Sequence, residues 1–576
     1  MNLFKEHMLR IKWLLPILFF LVFSSVIFAQ TSYIPLGSKQ YEIMDRLEIK
    51  TGNQGDYFSF VKPYSGKSVA EQAEMIDSIL QINKQYGNLS SVDRYNLDNI
   101  LMDNSEWTSS RTAYKSLHPL FGKNGLYQTK DNMVEINHDK FFLSANPVVY
   151  LGIGKEKNNS STLYQTSYGL TLRGRIGKAI GFDFYVTNNQ ERDPQYVNSW
   201  ITTHTAVPEQ GNYTAGFTPS GKLDYVRYVD ARGSVNWKVT NHIDLQFGYD
   251  RNFLGDGYRS LFLSNTSGNT LFFKINTRIW KFDYQNIFMK LEMPNVSSLS
   301  SYATVPMKFA RFNELSINVN KWLNLGLFEG IIFGRTNHYD FSYMVPVLFL
   351  RPAESNTGSG DNAVIGLHAK ANVAGKLQFY GQLLIDELKV HELLSGTGWW
   401  GNKNAFQLGA KYVDAFGLKN VDLQLEINQI RPYTYSHYDS VGSYTNNNQA
   451  IAHPLGANLR EIVALIHAQP AKKIYIQVQA IHYLQGLDSA GFDFGSNPFL
   501  NYNLRPRDYG YQIGDGDGAV ANMIAGTLSY ELAENMFLDL TGYYRNFKVA
   551  SAGDASRTTS LDISFRWNIG RREFNF

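Results

Sequence analysis

Residues 235–249, VNWKVTNHIDLQFGY, carry the pattern on which the fold rests. Val235, Trp237 and Val239 alternate with polar residues, Thr240, Asn241 and His242 interrupt the run, and Ile243, Leu245, Phe247 and Tyr249 resume it. A period of two marks a strand with one apolar face, and two such runs joined by a few turn residues predict a hairpin. The unit recurs. Leu377, Phe379, Gly381, Leu383 and Ile385 follow a turn at Ala374, Gly375 and Lys376. Ile474, Ile476, Val478 and Ala480 follow one at 469–472, and Ile524, Leu528, Tyr530 and Leu532 lead through Ala533, Glu534 and Asn535 into Met536, Leu538 and Leu540. Further strands are predicted at 168–176, 182–186, 406–412 and 421–427.

Between the hairpins lie long polar and aromatic connections at 251–270, 391–403, 431–460, 484–519 and 548–560. Short turns alternating with long loops match a barrel whose tight turns face the periplasm and whose longer loops face outward. Hydrocarbon offers no partner for backbone N–H and C=O groups, so a sheet can cross a membrane only by closing on itself. At about 10 residues per strand, residues 139–576 accommodate about 16 to 18 strands. The expected fold is therefore all-β: a closed antiparallel transmembrane β-barrel. Leu561, Ile563, Phe565, Trp567 and Ile569 alternate near the chain end, and Phe576 follows. An amphipathic final strand with a terminal aromatic resembles the signal by which barrel assembly machinery recognises its substrates. Both ends of the barrel on one side require an even strand number.

Composition agrees. The 576 residues are 14% aromatic and only 18% charged, against roughly 25% charged in an ordinary soluble domain. Interfacial girdles account for such an aromatic excess. Cysteine is absent, which excludes disulfides, thiolate metal sites and a cysteine nucleophile. A net charge of +3 without a long basic run gives no footprint for nucleic acid.

Lys5, Arg10 and Lys12 precede an apolar stretch from Trp13 to Phe28 that closes on Ala29 and Gln30, the layout of a secretory signal peptide spanning 1–29. Residues 30–132 are expected to form a partly helical periplasmic segment, and 133–576 the barrel. Within the segment, Ser68 and Glu71 form a capping-box pattern ahead of Val69, Ala73, Ile76 and Leu80 at helical spacing, and Leu97, Ile100 and Leu101 predict a second short helix.

Three blocks carry a family resemblance. GYDRNFLGDGYRSLFLSN at 248–265 resembles the characteristic segment of Wzi-type capsule-assembly barrels, with Leu254, Gly255, Asp256 and Gly257 standing where that pattern has Trp-Gly-Pro-Gly. FSYMVPVLFLRPAESNTGSGDNAVIGLHAKANVAGKLQFYGQLLIDEL at 341–388, and 430–464, beginning IRPYTYSHYDS and ending HPLGANLREIVA, resemble the RemB-like gliding-motility barrels of the Bacteroidetes. YEIMDRLEIKTG at 41–52 belongs to the same resemblance, which covers most of the chain. It implies an outer-membrane barrel of about 18 strands, with a periplasmic helical element plugging or bracing its mouth. It also implies a role in surface polysaccharide attachment or in gliding and adhesion.

No motif nominates a reaction. There is no Walker A loop, no GxSxG elbow, no HExxH pair and no complete dinucleotide fingerprint. Asp515, Gly516, Asp517 and Gly518 begin like a calcium loop, but the later ligands are missing. Asp386 and Glu387, adjacent on a strand, are expected to face opposite sides. His437, His453, His467 and His482 are dispersed and read as satisfied strand or loop histidines. The protein is accordingly expected to be no enzyme and to hold neither cofactor nor metal. Candidate functional groups are surfaces. Trp399, Trp400, Tyr433, Tyr435 and Tyr438 lie in two long loops among hydroxyl and amide neighbours, a chemistry that suits sugar rings, with Phe492, Phe494, Tyr502, Tyr509 and Tyr511 in a third. Arg251, Asp256 and Arg259 are expected in the lumen as a charge network. The expected partners are outer-membrane lipid, surface polysaccharide or adhesion and gliding machinery, and the barrel assembly machinery, with the barrel a monomer at the surface of a Gram-negative cell. A diffusion porin or substrate channel is one alternative; a barrel enzyme acting on lipid or glycan is another.

Overall fold

The computed structural model describes residues 31–53, 57–82, 89–108, 125–177, 179–293, 307–335, 338–346, 348–350, 360–439 and 441–576; the segment read as a signal peptide lies outside them. Eighteen antiparallel strands close into a barrel, from Phe141–Glu156 to Ser556–Trp567. The seam pairs Ser560 with Glu156 and Trp567 with Val149, so first and last strands complete each other's hydrogen bonds and the wall has no edge. Short strands Val134–His138 and Thr214–Phe217 add to the wall by pairing with Phe141–Glu156 and Leu223–Lys238.

The hairpin at 235–249 shows how sequence sets the two faces. Val235, Trp237, Phe247 and Tyr249 are exposed on the outside, whereas Ser234, Asn236 and Gln246 are buried inward. Leu151, Ile153, Ile524, Leu528, Leu561 and Ile563 continue the outer apolar belt. That surface is stable against hydrocarbon and not against water, so the barrel is a transmembrane one. Many lumen-facing positions are polar, with Lys308, Glu314, Gln407, Glu426 and Glu461 buried.

Three helices cover the short-turn end: α1 (Gln40–Thr51), α2 (Gly66–Ile82) and α3 (Ser91–Asp103). They share a core of Ile43, Met44, Leu47, Val69, Ala73, Ile76, Leu97 and Ile100. The capping box expected at Ser68 and Glu71 is not formed. α2 starts three residues earlier, Ser65 Oγ accepts from the Ser68 N–H at 3.1 Å, and Glu71 meets Lys67 on the surface. The capping box belongs to α3, where Ser90 Oγ accepts from Asp93 N–H at 3.0 Å and Asp93 Oδ2 from Ser90 N–H at 2.8 Å.

Polar ties to the hairpin turns fasten the helices. Arg46 contacts Asp93, Asp414 and Asp422, Lys50 reaches Asp93 at 2.9 Å and Asp414 at 2.6 Å, and Asn53 N–H donates to Lys321 O at 3.0 Å. Asn96 and Gln469 exchange amide hydrogen bonds. Burial raises the Asp414 carboxyl, but hydrogen bonds from Lys50 and Arg46 outweigh it and hold the group down at about 2.

Candidate functional site

Among the described residues, three of the segments that enter the lumen build the site. After α1, the chain at 57–62 reaches inward, and Val61–Lys62 pairs antiparallel with Phe253–Leu254. That second strand belongs to the 251–269 connection, which folds into the barrel: Leu254, Leu261, Phe262 and Leu263 are almost wholly buried in the largest apolar cluster. The third segment is 568–576, which turns back inside after the last strand. Arg571 contacts Gln477 and lies 3.2 Å from Ser529 Oγ; Arg572 contacts Glu191 and Tyr228 and donates to Pro208 O at 2.7 Å. Phe574 O accepts from Tyr196 at 2.8 Å, Asn575 O from Arg259 at 2.8 Å, and Phe576 O from Arg545 at 2.9 Å. The Phe576 ring meets Trp200 at 5.1 Å and Tyr196 at 5.8 Å. The terminal aromatic anticipated at the end of a membrane strand therefore sits inside the barrel, because the wall strand stops at Trp567.

The predicted lumen charges are paired, but in three separate groups rather than one network. Arg251 bonds Glu209 at 2.9 Å and lies 3.5 Å from Asp230. Asp256 lies 3.4 Å from Lys370, whose ammonium also meets Glu48 of α1 at 2.8 Å and thereby joins inner loop, wall and helix. Arg259 pairs with Glu461 at 2.8 Å, Glu461 accepts from His453 at 2.9 Å, and the Tyr258 and Arg259 N–H groups donate to Glu426. Arg251, Asp256 and Arg259 each have an opposite charge, which offsets the cost of their burial. Lys370, Glu48, Glu426 and Glu461 were not singled out from the sequence. Their only local signal is a polar residue at an inward position, shared by dozens of others.

The predicted loop aromatics divide. Tyr433 and Tyr435 are buried: Tyr433 Oη donates to Asp493 O at 2.6 Å, and Tyr435 Oη to Leu261 O at 2.9 Å. They offer no free face to a sugar because they tie the 431–458 loop to the 488–516 loop and to the inner loop. Trp400 is covered by Arg505, 4.1 Å above its ring centroid, and by Tyr502 at 4.8 Å, with Tyr433 edge-on. Trp399, half-buried, has Lys389 at 4.2 Å over its ring and folds across Gly401, where a Cβ would come within 2.4 Å of the indole. Tyr438 is exposed, as are Phe492 and Tyr509.

The remaining sequence candidates find structural partners. His437 faces Asp439, His453 Glu461, His467 Glu42, and His482 Asn522. Asp515 pairs with Arg507 at 2.5 Å and Asp517 accepts from Ser551 N–H at 3.0 Å, so the glycine-rich stretch is braced by protein. Asp386 and Glu387 do not diverge as expected. A register shift between Ile385 and Glu387 lets both approach Lys403, at 3.4 and 3.3 Å.

No family model and no curated protein matches the sequence. Among solved structures, Wzi of Escherichia coli, described as an outer membrane protein involved in group 1 capsule assembly and a carbohydrate-binding β-barrel, is similar at 13% identity and a TM-score of 0.55, over 93% of this chain and 99% of that one. OprD of Pseudomonas aeruginosa gives 10% identity and a TM-score of 0.42, over 74% and 94%. The Wzi likeness shows a shared barrel fold.

Proposed function

We propose that this protein is an outer-membrane barrel of a Gram-negative cell that holds surface polysaccharide, or an adhesive partner in gliding, through its long loops and without catalysis. The observation that carries this reading is the filled lumen: helices, inner loop and the 568–576 segment occupy the path a diffusing solute would take. A barrel stoppered by buried ion pairs suits a scaffold better than a pore. The Wzi neighbour, a carbohydrate-binding barrel, supports the same direction. At the loop end, Tyr438, Phe492 and Tyr509 are exposed and Trp399 is half-buried, with Lys389 and Arg505 beside the indoles. Rings next to hydrogen-bonding and cationic groups are the chemistry that holds sugars.

Glycan-array binding by purified full-length protein tests the reading. Selective binding that falls at least tenfold in Trp399→Ala and Tyr438→Ala is expected; absence of selective binding, or indifference to both changes, overturns it. A channel is the second reading, favoured by a lumen cavity of about 470 Å³. Steady conductance of the wild-type protein in planar bilayers would establish it.

A further inference from the structure

The lumen cavity lies between α1, the barrel wall, the inner loop and the 568–576 segment. Its volume, about 470 Å³, falls within the range of about 300–1,000 Å³ typical of small-ligand pockets. Its lining mixes rings, among them Tyr41, Phe253 and Tyr258, with amides such as Gln424, Gln477 and Asn96.

Most cations that face it are matched. Lys39 has Glu531 and Glu534, Arg46 has its three aspartates, and Lys411 meets Asp45 at 2.6 Å. Arg259 has Glu461, Arg566 has Asp539 at 2.6 Å, and Arg571 has Glu573 at 3.8 Å. Lys62 differs. Among the described residues its ammonium has no carboxylate within 4.0 Å and no hydrogen-bond acceptor. It is held by rings instead, 5.0 Å from the centroid of Phe253, 5.9 Å from Tyr64 and 6.0 Å from Tyr41. Pairing of Val61–Lys62 with Phe253–Leu254 fixes its backbone. Burial lowers the Lys62 pKa, and the neighbouring Lys411 and Lys370 act in the same direction against Asp45 and Asp256. An anion beside it would relieve that cost, and Coulomb attraction is strong in such a chamber.

We propose that this chamber binds an acidic sugar of one or two rings, its carboxylate on Lys62 and its ring faces among Phe253 and Tyr258. The proposal rests on the glycan reading above and extends it from the loop rim to the lumen.

Calorimetric titration of detergent-solubilised full-length protein with digalacturonate tests it, with a neutral galactose disaccharide and inorganic phosphate as controls. Saturable one-to-one binding is expected for digalacturonate, at least tenfold tighter than for either control. Lys62→Met should weaken it at least tenfold and Lys62→Arg should restore most of it, while Trp399→Ala leaves it unchanged. Heat-modifiable migration checks that each variant retains the barrel. The proposal is overturned if wild-type protein shows no saturable binding, if Lys62→Met binds as wild type does, if either control binds equally well, or if Trp399→Ala abolishes the signal. That last result would assign the binding to the loop rim and leave the loop reading standing.

Discussion

The ring of Phe60 lies flat on the imidazole of His368, centroids 3.5 Å apart and planes 7° apart. One residue follows α1, and the other projects from a barrel strand whose Lys370 also binds Glu48 of that helix. Phe60 is nearly fully buried and touches Phe262 edge-on at 6.2 Å, so it is the apolar pin between helical plug, inner loop and wall. Phe60→Ala should weaken plug docking by about 3–5 kcal/mol, the usual range for emptying a buried aromatic site. Limited proteolysis should then cleave the helices at protease levels that leave the wild type intact, while the barrel stays heat-modifiable.

Acid should loosen the same junction. Asp414 accepts from Lys50 and Arg46 and is held at about 2, below the ordinary carboxylate value. A carboxylate with a lowered folded-state pKa contributes stability that is complete above its unfolded value of about 4 and is lost as pH falls through the folded one. Helix protection against an acid-stable protease should therefore decline between about pH 4 and pH 2. Asp414→Asn should already be weakened at pH 7 and should show a flatter profile in that window; an unchanged profile would mean that other groups control docking.

Arg572 spans Glu191 on the wall and Pro208 O in an outer connection. The Glu191 side chain is 1% exposed, so Arg572→Ala strands a buried carboxylate, at a cost of about 3–5 kcal/mol. The 568–576 segment should then leave the lumen part of the time. Planar-bilayer recordings should show intermittent openings in Arg572→Ala and in an Arg259→Ala, Arg572→Ala double variant, against a silent wild type.

Tyr435 and Tyr444 donate to the carbonyls of Leu261 and Phe262 at 2.9 and 2.6 Å. Replacing both by Phe keeps the packing and leaves two buried acceptors unmet, each costing about 1–3 kcal/mol. The expected result is a lower thermal midpoint and faster cleavage within 431–458, with the far-ultraviolet β-sheet spectrum retained.

How much of this was legible in the chain follows from the range of each interaction. The hairpin at 235–249 announced itself because alternation is a property of neighbours, and its outward residues needed no information beyond their own periodicity. The helix at 91–103 was readable for the same reason. The start of α2 was misplaced because Ser65 and Ser68 are equally good capping residues in isolation. Arg251, Asp256 and Arg259 could be picked out as charges, but their oppositely charged partners lie elsewhere in the sequence, and nothing local distinguishes Glu461 from any other inward polar residue.

The loop aromatics mark the boundary most sharply. The positions of the hairpins placed Trp399, Trp400, Tyr433, Tyr435 and Tyr438 in the long connections, and only the folded arrangement separated the exposed Tyr438 from the buried Tyr433 and Tyr435. By itself the sequence determined a closed antiparallel barrel with a small helical segment, since a period of two and short turns are local and hydrocarbon forbids an open sheet. Tertiary structure alone decided that the 251–269 and 568–576 segments fold inward and that Lys62 faces a chamber. Those outcomes depend on which distant charges and rings meet once the wall has closed.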